Sequence, residues 1–280
     1  MIPAAFEYEV AESVEHAIEL LREREDTKLL AGGHSLLPAM KLRLARPSAL
    51  VDVGRLADLS YVREAGDRIA IGALTRHKDV AGAVLLQEHC GIVAHAAGQV
   101  GDPQVRHRGT IGGSLAHGDP ASDLPSVVLA LDGELVARGP GGERTIAARD
   151  FFTGVFTTAL TPDEMLVEVQ VPKLGPSTGW SYTKMSRRAQ DWATVAVATV
   201  VEHSNGSIGK ASIGLTNMGA TPLRATAAEE AIASGASIEE ASARASEGTE
   251  PSSDHAASAE FRGHLARVLT RRALEEAAAC

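Results

Sequence analysis

The chain has 280 residues, of which 44% are apolar and 22% are charged, a composition typical of a globular protein rather than a disordered one. At roughly 100–200 residues per domain, this length predicts about two domains. The 27 basic residues are outnumbered by 36 acidic ones, for a net charge of −9. This balance argues against nucleic acid or an anionic membrane as a partner, because such surfaces attract clustered Lys and Arg. No apolar run approaches the ~20 residues that a membrane-spanning helix needs.

The first residues lack the charged segment and apolar stretch of a secretory signal. We therefore expect a cytoplasmic protein.

The two cysteines, Cys90 and Cys280, are too few for a disulfide framework, a four-ligand zinc site or an iron–sulfur cluster. We expect this chain to hold no metal of its own.

Residues 1–55 are typical of a small α/β unit. Short apolar runs predict strands, and Ser13 stands where it would cap a helix with apolar positions at helical spacing. The predicted elements are strands over 8–10, 28–31 and 50–53 and helices over 14–24 and 36–44.

A second unit follows over residues 56–174. The pattern predicts a strand over 68–72, helices over 78–87 and 91–100, strands over 134–137 and 165–171, and a hairpin partner over 144–146. The Pro- and Gly-rich stretch 172–179 marks a domain boundary. Beyond it, the runs 181–185, 193–201 and 209–215 are spaced like an antiparallel meander, and Ala-rich helices begin near Thr226 and Ser258.

Two glycine pairs of similar shape stand about eighty residues apart. One is Gly32-Gly33 within 31–35, and the other is Gly112-Gly113 within 110–114. Glycine lets the backbone approach a phosphate closely, adjacent N–H groups can point at it, and neighbouring hydroxyls can add donors. Each pair taken alone is also compatible with a simple tight turn. The two together indicate a pair of loops that clamp one extended ligand.

Other nucleotide and hydrolase motifs are missing from the sequence. There is no Gly-x-Gly-x-x-Gly, no Gly-x-x-x-x-Gly-Lys-Ser/Thr and no Gly-x-Ser-x-Gly. No catalytic acid, base or nucleophile is predicted. Asp119 and Asp123, in the stretch 119–125, are candidates either for helix capping or for binding the ribityl chain of a flavin, and both alternatives stand.

These residues carry a resemblance to a known family. The stretch 31–38 with 40–43, the lead-in 100–108, the segment 110–114 and the following 119–125 resemble the FAD-binding medium subunit of the molybdenum hydroxylase (xanthine dehydrogenase) family. Within that family the chain is most similar to the aerobic carbon monoxide dehydrogenase type. The resemblance extends over nearly the whole chain.

The resemblance implies an α+β fold in three parts. Two α/β FAD-binding subdomains of the vanillyl-alcohol-oxidase (PCMH-like) type would occupy 1–55 and 56–174. A C-terminal domain, a three-stranded antiparallel sheet with helices, would occupy 175–280.

It also implies that FAD binds with its diphosphate on the two glycine segments and its flavin ring near 184–193. Asp123 matches a carboxylate that holds the cofactor, and Leu166 matches a backbone contact. Trp192 stands where related carbon monoxide dehydrogenases usually have Tyr, and an indole can also cover a flavin face. The implied cofactor-binding residues are Leu29, Leu30, Ala31, Gly32, Gly33, His34, Ser35, Leu36, Gly109, Thr110, Ile111, Gly112, Gly113, Ser114, Asp123, Leu166, Lys184, Asp191 and Trp192.

The implied function is electron transfer within a heterotrimer. Oxidation would take place at a molybdopterin-binding large subunit, and a 2Fe-2S small subunit would pass the electrons through FAD to an external acceptor. Carbon monoxide is the first substrate to consider. Alternatives are the same role in an aldehyde or N-heterocycle hydroxylase, or a flavin-free scaffold of the same fold.

Overall fold

The computed structural model describes residues 1–204 and 207–279, so Cys280 lies outside the described residues. Its first sheet is parallel, with strand order β1-β3-β2. The elements are β1 (Glu7–Val10), α1 (Val14–Glu23), β2 (Thr27–Leu30), α2 (Leu36–Lys41) and β3 (Ala49–Asp52). The Ser13 hydroxyl accepts a hydrogen bond from the His16 N–H and caps α1, as predicted.

The second sheet has five antiparallel strands in the order β4-β5-β10-β6-β7. Its strands are β4 (Val62–Ala65), β5 (Arg68–Gly72), β6 (Glu134–Gly139), β7 (Gly142–Ala147) and β10 (Met165–Pro172). A two-stranded ribbon joins β8 (Phe152–Gly154) to β9 (Thr157–Thr158). The helices are α3 (His77–Gly82), α4 (Val84–His89), α5 (Gly91–Gly98), α6 (Pro103–Arg108), α7 (Ile111–His117), α8 (Asp123–Ala130) and α9 (Ala148–Phe151).

The third sheet is antiparallel, in the order β11-β12-β13-β14. Three long strands form the predicted meander, and the two-residue β14 adds a short fourth strand at its edge. The elements are β11 (Thr178–Met185), β12 (Val195–Ser204), β13 (Ser207–Thr216), β14 (Leu223–Arg224), α10 (Thr226–Ala233), α11 (Ile238–Ala243) and α12 (Ala259–Ala278).

Both faces of the third sheet are buried. Along β12, Val195, Val197 and Val201 pack into one core with α10, α11 and α12. The alternate residues Ala196 and Ala198 pack into the core of the second sheet and its helices. Because side chains of a strand alternate between faces, a nearly continuous apolar run is what a central strand of this kind requires. The third sheet is therefore fixed directly against α5 and α8.

Two local predictions differ from the structure. The predicted helix 78–87 is two helices, because Ala83 adopts an extended conformation (φ −71°, ψ 112°) between α3 and α4. The second glycine pair was expected in a loop, but it lies in the first turn of α7, where the Thr110 side chain accepts a hydrogen bond from the Gly113 N–H. Two adjacent glycines disfavour a helix on propensity alone, so the cap and tertiary packing determine this turn.

Candidate functional site

The two glycine segments, 31–35 and 109–114, meet backbone to backbone. The first begins at the carboxyl end of β2, and the second connects α6 to α7. A Cβ on Gly32 would overlap the Arg108 carbonyl and lie 2.8 Å from Gly109 Cα, and a Cβ on Gly113 would lie 3.8 Å from the Ala31 Cβ. Only glycine at position 32 permits this approach, so the predicted pairing of the two segments is present.

The first segment has unused amide donors. Gly33 has φ +76°, which favours glycine. Among the described residues, no acceptor is found for the N–H groups of Gly32, Gly33, His34 and Ser35, whereas the Gly33 and Ser35 carbonyls accept bonds from Leu37 and Ala39 at 3.0 and 3.2 Å. His34 and Ser35 are exposed. Successive free N–H groups around a left-handed glycine are suited to bind an anion.

The second segment differs, because its amides are mostly used within the fold. The Ile111 N–H donates to the Thr75 carbonyl at 3.1 Å, and the Gly112 N–H donates to the Ala73 carbonyl at 2.9 Å. The Gly113 N–H donates to the Thr110 hydroxyl at 3.1 Å. At this segment a ligand could come close to the backbone of exposed Gly113 and could bond to the half-buried Ser114 hydroxyl. The free amides belong to the first segment.

Arg76 and His77 adjoin the second segment, although no sequence motif pointed to them. The Arg76 guanidinium donates to the Arg108 carbonyl, and the His77 N–H donates to the Gly109 carbonyl at 3.0 Å. The His77 side chain is 3% exposed and its Nδ1 lacks a hydrogen-bond partner among the described residues. Burial lowers the pKa of His77 to about 4, and the charges of Arg106 and Arg76 act in the same direction.

Asp123 and Lys184 form a buried ion pair that joins α8 to β11. The Lys184 Nζ lies 3.0 Å from Asp123 Oδ1, and the two side chains are 3% and 7% exposed. The Tyr182 hydroxyl donates to the same carboxylate at 2.6 Å, and Lys184 also donates to the Gln99 carbonyl at 3.2 Å. Burial raises the pKa of the Asp123 carboxyl, opposed by the Lys184 charge and the Tyr182 hydrogen bond.

This geometry bears on the two alternatives for Asp123. Ser122 occupies the N-cap position of α8, and Asp123 lies in its first turn, where a carboxylate is favoured by the helix dipole. Capping is therefore not its role. Asp119, the other candidate, accepts a hydrogen bond from the Ala121 N–H at 2.9 Å within the connecting turn.

Three of the remaining predicted residues flank the first glycine segment, since Leu29 and Leu30 end β2 and Leu36 begins α2. The other three are Leu166, Asp191 and Trp192. Leu166 is 4% exposed in β10 and opposes Ala137. Asp191 and Trp192 lie between β11 and β12, where Trp192 is 65% exposed. The Asp191 Oδ2 is buried without a hydrogen-bond partner among the described residues, and the Arg188 Nε lies 3.7 Å from it.

A cavity of about 640 Å³ lies elsewhere, between the first and second sheets. It is lined by polar groups that include Glu12, Arg55, Tyr61, Arg138 and Glu168. None of the predicted cofactor residues lines it. We place the candidate site at the glycine segments, because the free amides point to a ligand there.

None of the helices in the described residues is both long and apolar enough to cross a membrane. The fold and the paired glycine segments, which meet between a parallel and an antiparallel sheet, are typical of the nucleotide-binding class of protein. Comparison with known families gives the same class. Residues 4–174 match the FAD binding domain in molybdopterin dehydrogenase, and residues 180–277 match the CO dehydrogenase flavoprotein C-terminal domain.

Full-length relatives agree. The carbon monoxide dehydrogenase medium chain of Afipia carboxidovorans is 40% identical, with 100% of this chain and 99% of that protein covered. The 6-hydroxypseudooxynicotine dehydrogenase complex subunit alpha of Paenarthrobacter nicotinovorans is 38% identical over 99% of this chain and 96% of that protein. A carbon monoxide dehydrogenase from Hydrogenophaga pseudoflava that lacks the Mo-pyranopterin moiety of its cofactor superimposes with a TM-score of 0.96. It is 43% identical, with 100% of this chain and 99% of that chain covered.

This chain belongs to the family of FAD-binding subunits of molybdopterin dehydrogenases. FAD is its cofactor, as the sequence predicted. The free amides of 32–35, and the close backbone contact of the first glycine segment with 109–113, fit the diphosphate of that cofactor.

Proposed function

We propose that the chain is the medium subunit of a heterotrimeric carbon monoxide dehydrogenase, with a molybdopterin-binding large subunit and a 2Fe-2S small subunit. The observation that carries this proposal is the likeness to carbon monoxide dehydrogenase over the entire chain, in sequence and in structure. The cytoplasm is the location we propose for the complex.

We assign cofactor binding to nineteen residues in three groups. The first group consists of the two glycine segments and the residues that flank them, which would bind the diphosphate through free amides and close backbone approach. The second is the buried pair of Asp123 and Lys184. The third is the segment between β11 and β12, which offers an exposed indole for the flavin ring, and Leu166 of β10 is added to these groups. The residues are Leu29, Leu30, Ala31, Gly32, Gly33, His34, Ser35, Leu36, Gly109, Thr110, Ile111, Gly112, Gly113, Ser114, Asp123, Leu166, Lys184, Asp191 and Trp192.

The three larger sheets support a division into subdomains 1–55 and 56–174 and a C-terminal domain 175–280, since each range contains all the strands of one of them. When bound, FAD supplies the redox chemistry, taking electrons from the iron–sulfur subunit and passing them to an external acceptor. The residues of this chain bind and orient the cofactor and set the polarity around it. None of them is assigned a role as a catalytic acid, base or nucleophile.

A second candidate is the same electron-transfer role in an N-heterocycle or aldehyde hydroxylase. The 38% identity to the 6-hydroxypseudooxynicotine dehydrogenase subunit favours it, because that identity is nearly as high as the 40% to a carbon monoxide dehydrogenase medium chain. A flavin-free scaffold is disfavoured, since it has no use for four free amides beside a glycine contact.

Purification of the tagged full-length chain from its native host, followed by an absorption spectrum and identification of co-purifying subunits, tests the proposal. We expect flavin bands, two partner subunits, and reduction of the FAD by carbon monoxide but not by aldehydes or N-heterocycles. Reduction by one of the latter instead supports the second candidate, and a colourless chain without partners contradicts both.

A further inference from the structure

Arg76 is a half-buried cation at the point where three segments of the site meet. Its backbone forms an isolated bridge with Thr110, and its guanidinium donates to the Arg108 carbonyl, the same atom that a Cβ on Gly32 would overlap. Its Nη2 lies 4.0 Å from the position that a Cβ on Gly54 would occupy, just after β3. The side chain therefore lies between Gly54, just after β3, and Arg108, the residue that precedes the second glycine segment.

In the part of the chain that the structure describes, no carboxylate oxygen lies within 4.0 Å of the Arg76 guanidinium. The guanidinium donates a hydrogen bond to a neutral carbonyl, that of Arg108. The nearest acids are engaged elsewhere. Asp52 accepts hydrogen bonds from the Tyr8 hydroxyl and from the Gly54 N–H at 2.8 Å, and Asp79 pairs with Lys78 at 3.5 Å.

The charges around Arg76 increase the need for an anion. Burial lowers the pKa of Arg76 most, the charge of Arg108 lowers it further, and Asp79 and Asp52 act in the opposite direction without forming an ion pair. A partly desolvated cation beside another cation is costly unless an anion neutralises it. The free amides of 32–35 indicate where such an anion would bind.

We infer that Arg76 binds the diphosphate of FAD directly and supplies the positive charge that the glycine amides lack. This inference rests on the assignment of FAD to the glycine segments. Amides bind phosphate through partial charges only, whereas a guanidinium adds a full charge and paired donors.

The test compares Arg76→Gln with Arg76→Lys. Gln keeps a donor for the Arg108 carbonyl but removes the charge, and Lys keeps the charge. FAD is removed from the purified full-length chain with its co-purifying subunits, and rebinding is titrated by flavin fluorescence at several salt concentrations. We expect Gln to raise the Kd roughly ten- to hundredfold and to flatten its salt dependence, and Lys to recover most of the affinity.

Lys78→Gln is the matched control, because it removes a cation two residues away whose side chain is exposed and paired with Asp79. It should keep the Kd within about twofold, as expected for a screened surface charge. The inference is overturned if Arg76→Gln binds FAD as the wild type does. It is also overturned if Gln and Lys weaken binding equally with an unchanged salt dependence, which would make Arg76 only a tie to the Arg108 carbonyl. Failure of the wild type itself to rebind FAD would instead contradict the cofactor site.

Discussion

Gly112 and Gly113 are adjacent but serve different purposes. A Cβ on Gly112 would lie 2.5 Å from the Ala73 Cβ and 2.7 Å from the Ala73 carbonyl oxygen, so this glycine packs α7 against the end of β5. Gly113 is exposed, and a Cβ there would lie 2.7 Å from the Thr110 hydroxyl oxygen and 3.8 Å from the Ala31 Cβ of the first glycine segment. We therefore expect Gly112 to act on FAD binding mainly through folding, and Gly113 to act on it directly.

We predict that Gly113→Val abolishes FAD binding and costs the flavin-free chain only about 1 kcal/mol, the scale of a disturbed N-cap. Gly112→Val should destabilise the flavin-free chain by about 1–3 kcal/mol or more, because it overpacks a buried contact. Urea denaturation and FAD content measure the two effects. Gly82→Ala, in a helix with open space around it, is the control. Normal FAD content in Gly113→Val would contradict the assignment.

His77 makes stability depend on pH. Its folded-state pKa of about 4 lies below the ordinary value of 6.5, so the unfolded chain binds the proton more readily than the folded chain. The stabilisation is complete above pH 6.5 and is lost as the pH falls toward 4.

We predict that lowering the pH from 7 to 5 removes about 2 kcal/mol through His77, and that His77→Gln reduces this loss. Urea denaturation of the flavin-free chain at both pH values measures it. His264→Gln, at an exposed histidine, controls for the removal of an imidazole elsewhere. The same pH dependence in His77→Gln as in the wild type would refute the prediction.

At the scale of elements, the Asp123–Lys184 pair fastens α8 to β11. Removing one partner leaves the other charge buried, which typically costs about 3–5 kcal/mol. An exposed pair of similar geometry contributes far less.

We therefore predict that Asp123→Asn costs about 3–5 kcal/mol in free energy of unfolding. The double variant with Lys184→Met should cost less than the sum of the two single variants, because no unpaired charge remains. The control is Arg138→Gln, whose exposed guanidinium pairs with Glu15 at 2.8 Å, and it should cost about 1 kcal/mol or less. Additive costs for Asp123→Asn and Lys184→Met would show that the pair is not coupled.

For the whole molecule, the site depends on contact between two sheets. The first glycine segment follows a parallel strand, and the second is anchored through Ala73 and Thr75 to the antiparallel sheet. A ligand that touches both segments must stabilise their docking, since it binds the folded chain and not the unfolded one.

We predict that FAD at one hundred times its Kd raises the free energy of unfolding by about 2.7 kcal/mol, seen as a higher melting temperature. Riboflavin, which lacks the diphosphate, should give a much smaller shift at the same concentration. An equal shift with riboflavin would locate the binding energy at the flavin ring rather than at the glycine segments.

Local elements were predictable where short-range chemistry decides them. The Ser13 cap and the strands β2, β3, β5 and β10 follow from residues within a few positions of one another. The first turn of α7 was not predictable in this way, because two glycines disfavour a helix and the turn is held by hydrogen bonds to Ala73 and Thr75, more than thirty residues earlier in the chain.

The sequence by itself determined several strands of each of the three larger sheets, helix α1, the paired glycine motif and, through it, the family and its cofactor. Those conclusions depend on residue type and spacing along the chain. Only the tertiary structure decided that Gly32 abuts Gly109 and that Asp123 pairs with Lys184. It also decided that, within 1–204 and 207–279, the amides of 32–35 have no acceptor and Arg76 has no carboxylate within 4.0 Å. Such contacts join residues that are distant in sequence, and their energy comes from burial and exclusion of water, which no local pattern encodes.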